Sequence, residues 1–268
     1  INLTNTYFDT KPFFVHSNGS GRKNPQGNQF RGEVLEYIDE TPFTGVGGMR
    51  DTVYFTCNSR TREFGTLEQT LRYFRVPYVV KGQGTEAWRN TMKAPLLVDY
   101  ISQATTKYTM GIDSYDVCLI KDANELVDIF ERDFDCDMLF NGELISYPPN
   151  DDLANFERSR YGDDSPFCYL NSGVWIARTA FLKEIAEDIL NFRSRNKRSD
   201  QIVYRYLHQK YYPRIQIDKY CKLFQVTCNS SSPYLKDRKY DPTNAYTINI
   251  EKESSANYKL TLEREERE

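Results

Sequence analysis

The tetrad Asp113-Ser114-Tyr115-Asp116 places two carboxylates within one turn, directly after the apolar, strand-like run Tyr108 to Ile112. Carboxylates grouped in this way make a hard oxygen site for Mg²⁺ or Mn²⁺, with positions left open for phosphate and water. A cation held there would neutralise the negative charge that develops when a diphosphate leaves. The D-x-x-D spacing alone is common in solvated loops. Its weight comes from its place at the end of a strand, because open α/β sheets bind ligands beyond the carboxyl ends of their strands.

The surrounding chain supplies such a sheet. Val53 to Cys57 is apolar, with β-branched and aromatic residues; Leu67, Leu71 and Phe74 then share a helix face, and Val76 to Val80 reads as the next strand. Leu96, Leu97, Tyr100 and Ile101 mark a second helix before the strand that ends at Asp113. This alternation predicts an α/β fold, a Rossmann-like, mostly parallel sheet flanked by crossover helices. Further on, Asp122 is expected to cap a helix carrying Leu126, Ile129 and Phe130. Asp137 to Phe140 and Leu170 to Ala177 read as strands, and Phe181, Ile185, Ile189 and Phe192 as one amphipathic helix. Ile202 to Leu207 reads as another helix, and Ile215 to Ile217 and Cys221 to Val226 as short strands. Three parts are expected: an N-terminal segment over 1–50, with a strand at Phe13 to Val15 and a short helix from Arg31 to Ile38; the main domain over 51–250; and a charged, peripheral or frayed tail over 251–268.

With 268 residues, 39% of them hydrophobic, the chain can bury the core of one large domain. Its net charge of −3 implies no basic face and argues against a nucleic-acid partner. No apolar run reaches the length of a transmembrane helix. The six cysteines include no C-x-x-C pair, which disfavours zinc, although Cys221 and Cys228 are close enough in sequence to bridge. N-x-S/T tripeptides at Asn2, Asn18 and Asn229 permit a secretory, ER or Golgi lumen location; a microbial or viral source would leave the cytoplasm open.

Several short motifs, in order, carry a resemblance. Met110 to Ile120, MGIDSYDVCLI, resembles the metal-motif stretch in the glycosyltransferase domain of the collagen lysyl hydroxylase/glycosyltransferases. Gly84-Thr85-Glu86-Ala87-Trp88, with Lys93 opening a helix downstream, is similar to that family's glycine/acid/Trp loop. Asn141-Gly142-Glu143 followed by Tyr147-Pro148-Pro149, the stretch Tyr169 to Gly173, Asp200-Gln201, and Asp218 to Gln225 (DKYCKLFQ) match further elements. The resemblance covers about residues 51–226 and implies a GT-A fold.

The resemblance also implies roles. Asp113 and Asp116 would ligate the metal, normally Mn²⁺ alongside a UDP-sugar, and Tyr115 would face the uracil or ribose. Asn171, Ser172 and Gly173 would form a tight turn beneath the sugar, and Asp200 would orient sugar hydroxyls or help activate the acceptor. Lys93 is a candidate phosphate contact and Trp88 a candidate wall of the donor pocket; a solvated lysine and a loop-filling ring are the plainer alternatives. The partners implied are a nucleotide-sugar donor and a hydroxyl acceptor on protein or glycan. One departure matters. The family's third metal ligand is a histidine after the strand corresponding to Leu223–Gln225, and this chain has only His16 and His208. His16, in Phe13-Phe14-Val15-His16-Ser17-Asn18-Gly19, looks like the missing element but lies at the other end of the chain. It is a metal ligand returned by permutation, the end of a preceding similar domain, or an unrelated exposed residue. The displaced histidine leaves a catalytically silent binding domain as the alternative to a UDP-sugar-dependent hexosyltransferase. A nucleotidyltransferase is disfavoured, because Asn58 to Gly65 is not the glycine-rich basic loop it needs.

Overall fold

The computed structural model describes residues 1–18, 24–45, 47, 51–61, 63–195, 199–227 and 246–264. Its strands are β1 (Asn2–Asn5), β2 (Phe14–His16), β3 (Thr52–Cys57), β4 (Tyr78–Lys81), β5 (Tyr108–Asp113), β6 (Val117–Leu119), β7 (Met138–Glu143), β8 (Tyr169–Arg178), β9 (Ile215–Asp218), β10 (Phe224–Val226), β11 (Tyr246–Ser254) and β12 (Asn257–Arg264). Its helices are α1 (Pro25–Glu40), α2 (Thr66–Tyr73), α3 (Lys93–Gln103), α4 (Leu126–Asp133), α5 (Asp151–Tyr161), α6 (Thr179–Glu184), α7 (Ala186–Arg195) and α8 (Asp200–Tyr211).

The central sheet has six strands in the order β4-β3-β5-β8-β7-β9. All neighbours are parallel except β8, which runs antiparallel to both β5 and β7. Alternation sorts each strand's side chains to two faces. Tyr108, Met110 and Ile112 of β5 join Val174 and Ile176 of β8 on one face, under α2 and α4. Trp175 and Ala177 pack on the other, against residues of α3 and α5 to α8. Gly111 is where the period yields space: an added Cβ would lie 2.0 Å from Trp175 Cζ2. A second, three-stranded sheet, β10-β2-β6, turns Phe14, Val117 and Leu119 toward the α2/α4 face and Val15 and Cys118 toward a third cluster. That cluster joins α1 to a third sheet, β1-β12-β11.

Several expectations are corrected here. The stretch 251–264 is no frayed tail, since Tyr246–Ser254 and Asn257–Arg264 form an antiparallel hairpin that buries Ile248, Tyr258 and Leu260. The N-terminal segment is built into the fold where it is described: β1 pairs with β12, and β2 lies between β10 and β6. The first helix is longer than expected because Asn24 caps it, accepting from Gly27 N at 2.9 Å, and Pro25 starts it. Asp122 does not cap α4; its carboxylate accepts from Asn124 N at 3.0 Å in a local turn that precedes the helix. The stripe from Phe181 to Phe192 spans two helices, broken at Ile185. The last short strand begins only at Phe224, because Cys221 has φ 52° and Asp218 gathers the backbone N–H groups of Lys222, Leu223 and Phe224 into a turn. Cys221 carries a buried free thiol, and Cys228, its suggested partner, lies outside the described residues. No described helix is long and apolar enough to cross a membrane.

Beneath α8 two buried polar contacts fasten the layers. Arg205 donates to Glu157 of α5, with 2.7 Å at Nη2, and to the carbonyl of Pro148 at 2.6 Å, which ties the loop after β7 to both helices. His208 lies with Nε2 2.8 Å from the Tyr161 hydroxyl, and burial, with the charge of Arg205 adding to it, pushes its pKa down to about 3. The unfolded chain takes up this proton near pH 6.5, whereas the folded chain refuses it until about pH 3. The stability that the neutral ring supports is therefore complete above pH 6.5 and lost progressively as pH falls through that window. Between pH 6.5 and 5, the unfolding free energy measured in denaturant should fall by about 2 kcal/mol more for wild type than for His208→Gln. Equal losses would mean that the ring is charged in the folded state.

Candidate metal centre

The tetrad loop is held from several sides at the carboxyl end of β5. From α2, Leu67 N donates to the Ser114 carbonyl at 3.0 Å and Thr66 Oγ1 to that of Tyr115 at 3.0 Å. Gly65 packs so tightly beneath Ser114 that a Cβ there would lie 2.0 Å from Ser114 Oγ. Buried Glu68 accepts from Ser114 Oγ and Asn58 Nδ2, each at 2.7 Å. From the small sheet, Ser17 N donates to the Asp116 carbonyl at 2.7 Å.

That last contact brings His16 to the acidic pair. The ring is 3% exposed, so the unrelated, exposed reading is excluded. Its Nε2 lies 3.5 Å from Asp116 Oδ2, beyond a good hydrogen bond, and is a buried nitrogen with no hydrogen-bond partner among the described residues. Its Nδ1 lies 3.0 Å from Asn171 Oδ1. An amide oxygen only accepts, so in the neutral ring the proton sits on Nδ1 and the Nε2 lone pair is free. His16, Asp113 and Asp116 each offer a ligand atom, all within 4.8 Å of one another. A buried, orphaned imidazole nitrogen beside two carboxylates that are 27% and 25% exposed fits a divalent cation with room for further ligands.

The electrostatics agree with this donor set. Burial lifts the Asp113 carboxyl above its ordinary range; Lys93 opposes the lift, and Asp116 and Asp200 reinforce it. Burial also works upward on Asp116, but the His16 imidazolium, with Lys93 and Arg31, holds that carboxyl low. In return, Asp116 overcomes the burial of His16 and raises its pKa. A bound cation would compete with a proton for Nε2.

Beside this triad lies a second charged group. Lys93, the first residue of α3, places Nζ 2.5 Å from Asp113 Oδ1 and 3.0 Å from Asp200 Oδ2. Lys93 is therefore no freely solvated lysine. Asp200 opens α8 without acting as its cap: Ser199 holds that position with no side-chain cap bond. These three charged groups rim a pocket floored by Gly111, Trp175 and Tyr204. Ser172 also lines it, with its N–H 3.4 Å from Gln201 Oε1.

Asn171, Ser172 and Gly173 are not the tight turn expected. They lie within β8, at a bulge where β7 pairs Asn141 with Asn171 and, one residue earlier, Phe140 with Trp175. Such a bulge re-aims side chains next to a site. Gly173 is required there, since a Cβ would lie 2.2 Å from His16 Cε1. Tyr115 is exposed at 37%; its hydroxyl donates to Asn58 Oδ1 and the Arg60 guanidinium sits 4.9 Å from its ring centroid. Trp88 is half-buried on the loop before α3, packed on Gly82, its indole N–H donating to Asn90 Oδ1 at 3.3 Å.

Sequence reasoning missed Asn58, Arg60 and Glu68 as parts of the site, and noticed Gln201 and Asn18 only within motifs. For Asn58 and Arg60 a signal existed, because they follow β3 directly, at the carboxyl end of the sheet where ligands bind. Glu143 was noticed only as part of a motif. It is 2% exposed and accepts from Gln201 Nε2 at 2.6 Å, Asn171 Nδ2 at 3.0 Å and Asn18 Nδ2 at 3.2 Å. Burial pushes its carboxyl up to about 7, against the downward pull of the Asn171 and Gln201 amides.

A mostly parallel sheet with an acidic pair and a histidine at the carboxyl end of a central strand is the frame of a glycosyltransferase domain. The chain belongs to the PLOD GT domain family, whose model matches residues 51–253. Among solved structures it is similar to the crystal structure of a glycosyltransferase involved in the glycosylation of the major capsid of PBCV-1. That likeness has a TM-score of 0.40 and 13% identity, over 70% of this chain and 99% of the other. No curated relative matches the chain.

Proposed function

We propose that this glycosyltransferase is metal-dependent and moves a hexose, glucose or galactose, from a UDP-sugar to a hydroxyl on a protein or glycan acceptor. The single observation that carries the reading is the orphaned Nε2 of His16 beside Asp113 and Asp116. These three residues would hold Mn²⁺ or Mg²⁺. When bound, the cation supplies charge neutralisation for a departing diphosphate.

The other roles belong to the chain's own residues. Lys93 supplies a fixed positive charge at the pocket rim, where diphosphate oxygens would come to rest. The exposed face of Tyr115, braced by Asn58 and Arg60, offers a stacking surface for a nucleobase. Asp200, which shares the Lys93 ammonium with Asp113, would accept hydrogen bonds from sugar hydroxyls. Ser172, Gly111, Trp175 and Tyr204, which line the same pocket as these charged groups, would stand nearest the sugar. Asn171 stands behind His16, its amide spent on Glu143, Gly173 and the ring, so its role here is to position the ligand rather than to touch substrate. The displaced histidine was the motive for a silent domain, and its position beside Asp116 favours the active reading.

Slow donor hydrolysis tests the proposal. UDP-glucose and UDP-galactose are incubated with the protein, with Mn²⁺ or with chelator, and released UDP is measured. Mn²⁺-dependent release of UDP is expected from one or both donors. Tight UDP binding with no release in Mn²⁺ would support the silent domain, and neither binding nor release would remove the nucleotide-sugar assignment.

A further inference from the structure

The tautomer of His16 depends on the orientation of the Asn171 amide. If Asn171 turned its NH₂ toward the ring, Nδ1 would have to accept and Nε2 would carry the proton, closing the ligand position. Two contacts oppose that flip. Gly173 N donates to Asn171 Oδ1 at 2.8 Å, and Asn171 Nδ2 donates to Glu143 Oε2 at 3.0 Å. The carboxylate end of this chain is firmly placed. Its two oxygens receive N–H groups from Asn18, Asn171 and Gln201, which come from the segment after β2, from β8 and from α8. Gln201 is fixed in turn by the Tyr147 carbonyl, to which it donates at 2.7 Å.

We propose that Glu143 is a positioning residue: through Asn171 it keeps the proton of His16 on Nδ1 and the Nε2 lone pair open toward Asp113 and Asp116. The inference rests on the reading of His16 as a metal ligand, but its tautomer part stands without metal. Partners of this kind behind a ligating histidine commonly carry about 10–100-fold in metal affinity. The relay also explains why a carboxylate sits at a place with no solvent. Only an acceptor at both oxygens satisfies three converging N–H donors, and a glutamine would set NH₂ against one of them.

The test uses the whole chain and two readouts. In protein labelled with ¹⁵N-histidine, only two rings report, His16 and His208, and the spectrum of His208→Gln assigns them. At a pH where the metal-free His16 ring is neutral, wild type should show Nδ1 protonated and Nε2 bare. Glu143→Met, which keeps bulk and removes the acceptor, should shift the population toward the other tautomer. Mn²⁺ titration followed by electron paramagnetic resonance should show affinity about tenfold weaker or more in Glu143→Met. The same substitution in a His16→Ala background should cost almost nothing further. A bare Nδ1 in wild type, an unchanged tautomer in the variant, or an equal loss in the His16→Ala background would overturn the relay. Failure of wild type to bind Mn²⁺, or unaltered binding in His16→Ala, would instead strike the ligand reading, and the metal-free spectra would still judge the relay. Should Glu143→Met not fold, Asn171→Leu cuts the same path one residue nearer the ring and is judged identically.

Discussion

Asp113→Asn and Asp116→Asn will each lower Mn²⁺-dependent UDP release by about 10³-fold or more, equivalent to about 4 kcal/mol of transition-state stabilisation. Each change removes one anionic ligand from a cluster whose ligand atoms lie within 4.8 Å of one another. The amide keeps the shape and can still accept a hydrogen bond, so the loss reports charge and metal affinity rather than packing. The folded state should tolerate the exchange. At Asp113 a neutral amide relieves the cost of burial while losing the ion pair with Lys93; at Asp116 it relieves the cost of burial while losing the attraction of His16. Calorimetric titration of UDP at fixed Mn²⁺ separates the effects: binding heat should vanish in both variants while the thermal midpoint without metal stays near wild type. Retention of the heat in both variants would remove the metal assignment from this pair.

Lys93 will behave in the opposite sense toward metal and toward turnover. Its ammonium rests on Asp113 Oδ1, an oxygen that the cation would also claim. A univalent charge close to an incoming dication repels it by about several kcal/mol at an effective dielectric of about 20, less where solvent screens the half-exposed site. Lys93→Met should therefore bind Mn²⁺ alone about tenfold more tightly than wild type. The same variant loses the fixed charge expected to meet the diphosphate, so Mn²⁺-dependent UDP release should fall by about 10²-fold. In wild type, UDP should tighten Mn²⁺ binding strongly, because phosphate draws Lys93 from Asp113; in Lys93→Met that gain should shrink. Weaker Mn²⁺ binding by the variant would show that Lys93 supports Asp113 rather than competing for it.

Much of the main sheet was legible because its core strands are buried on both faces and short apolar runs alternate with helical spacing. Asp113 could be placed because it terminates such a run. Elsewhere composition misled. Tyr246–Ser254 and Asn257–Arg264 are rich in charge, and that charge masks the period-two set Ile248, Tyr258 and Leu260 that the hairpin buries. The bulge at Asn171 to Gly173 could not be foreseen, since it exists only in the register between β7 and β8. The hub at Glu143 was hidden for a similar reason: Asn18 and Gln201 stand 125 and 58 positions away from it, so only tertiary structure unites them. His16 was visible as a motif out of place, and the parallel pairing of β2 with β10 accounts for the displacement. That pairing sets His16 opposite Val226, beside the strand after which the resemblance places a histidine.

The seating of β2 between β10 and β6 also governs the order in which this protein can be assembled. His16 reaches Asp116 only when β2 has paired with Val117–Leu119, about a hundred residues along the chain. A contact of such long sequence separation bears a large loop-closure cost, so it forms late in folding. The sheet of β3, β5 and β8 can condense first, with its carboxylates already at the strand end and no histidine beside them. The proposed metal site would thus be completed only at this closure. A fragment cut to the family match, 51–253, would retain both aspartates while lacking the strand that brings the imidazole. It would also strip β6 and β10 of the strand they share, leaving each open to pairing with other chains.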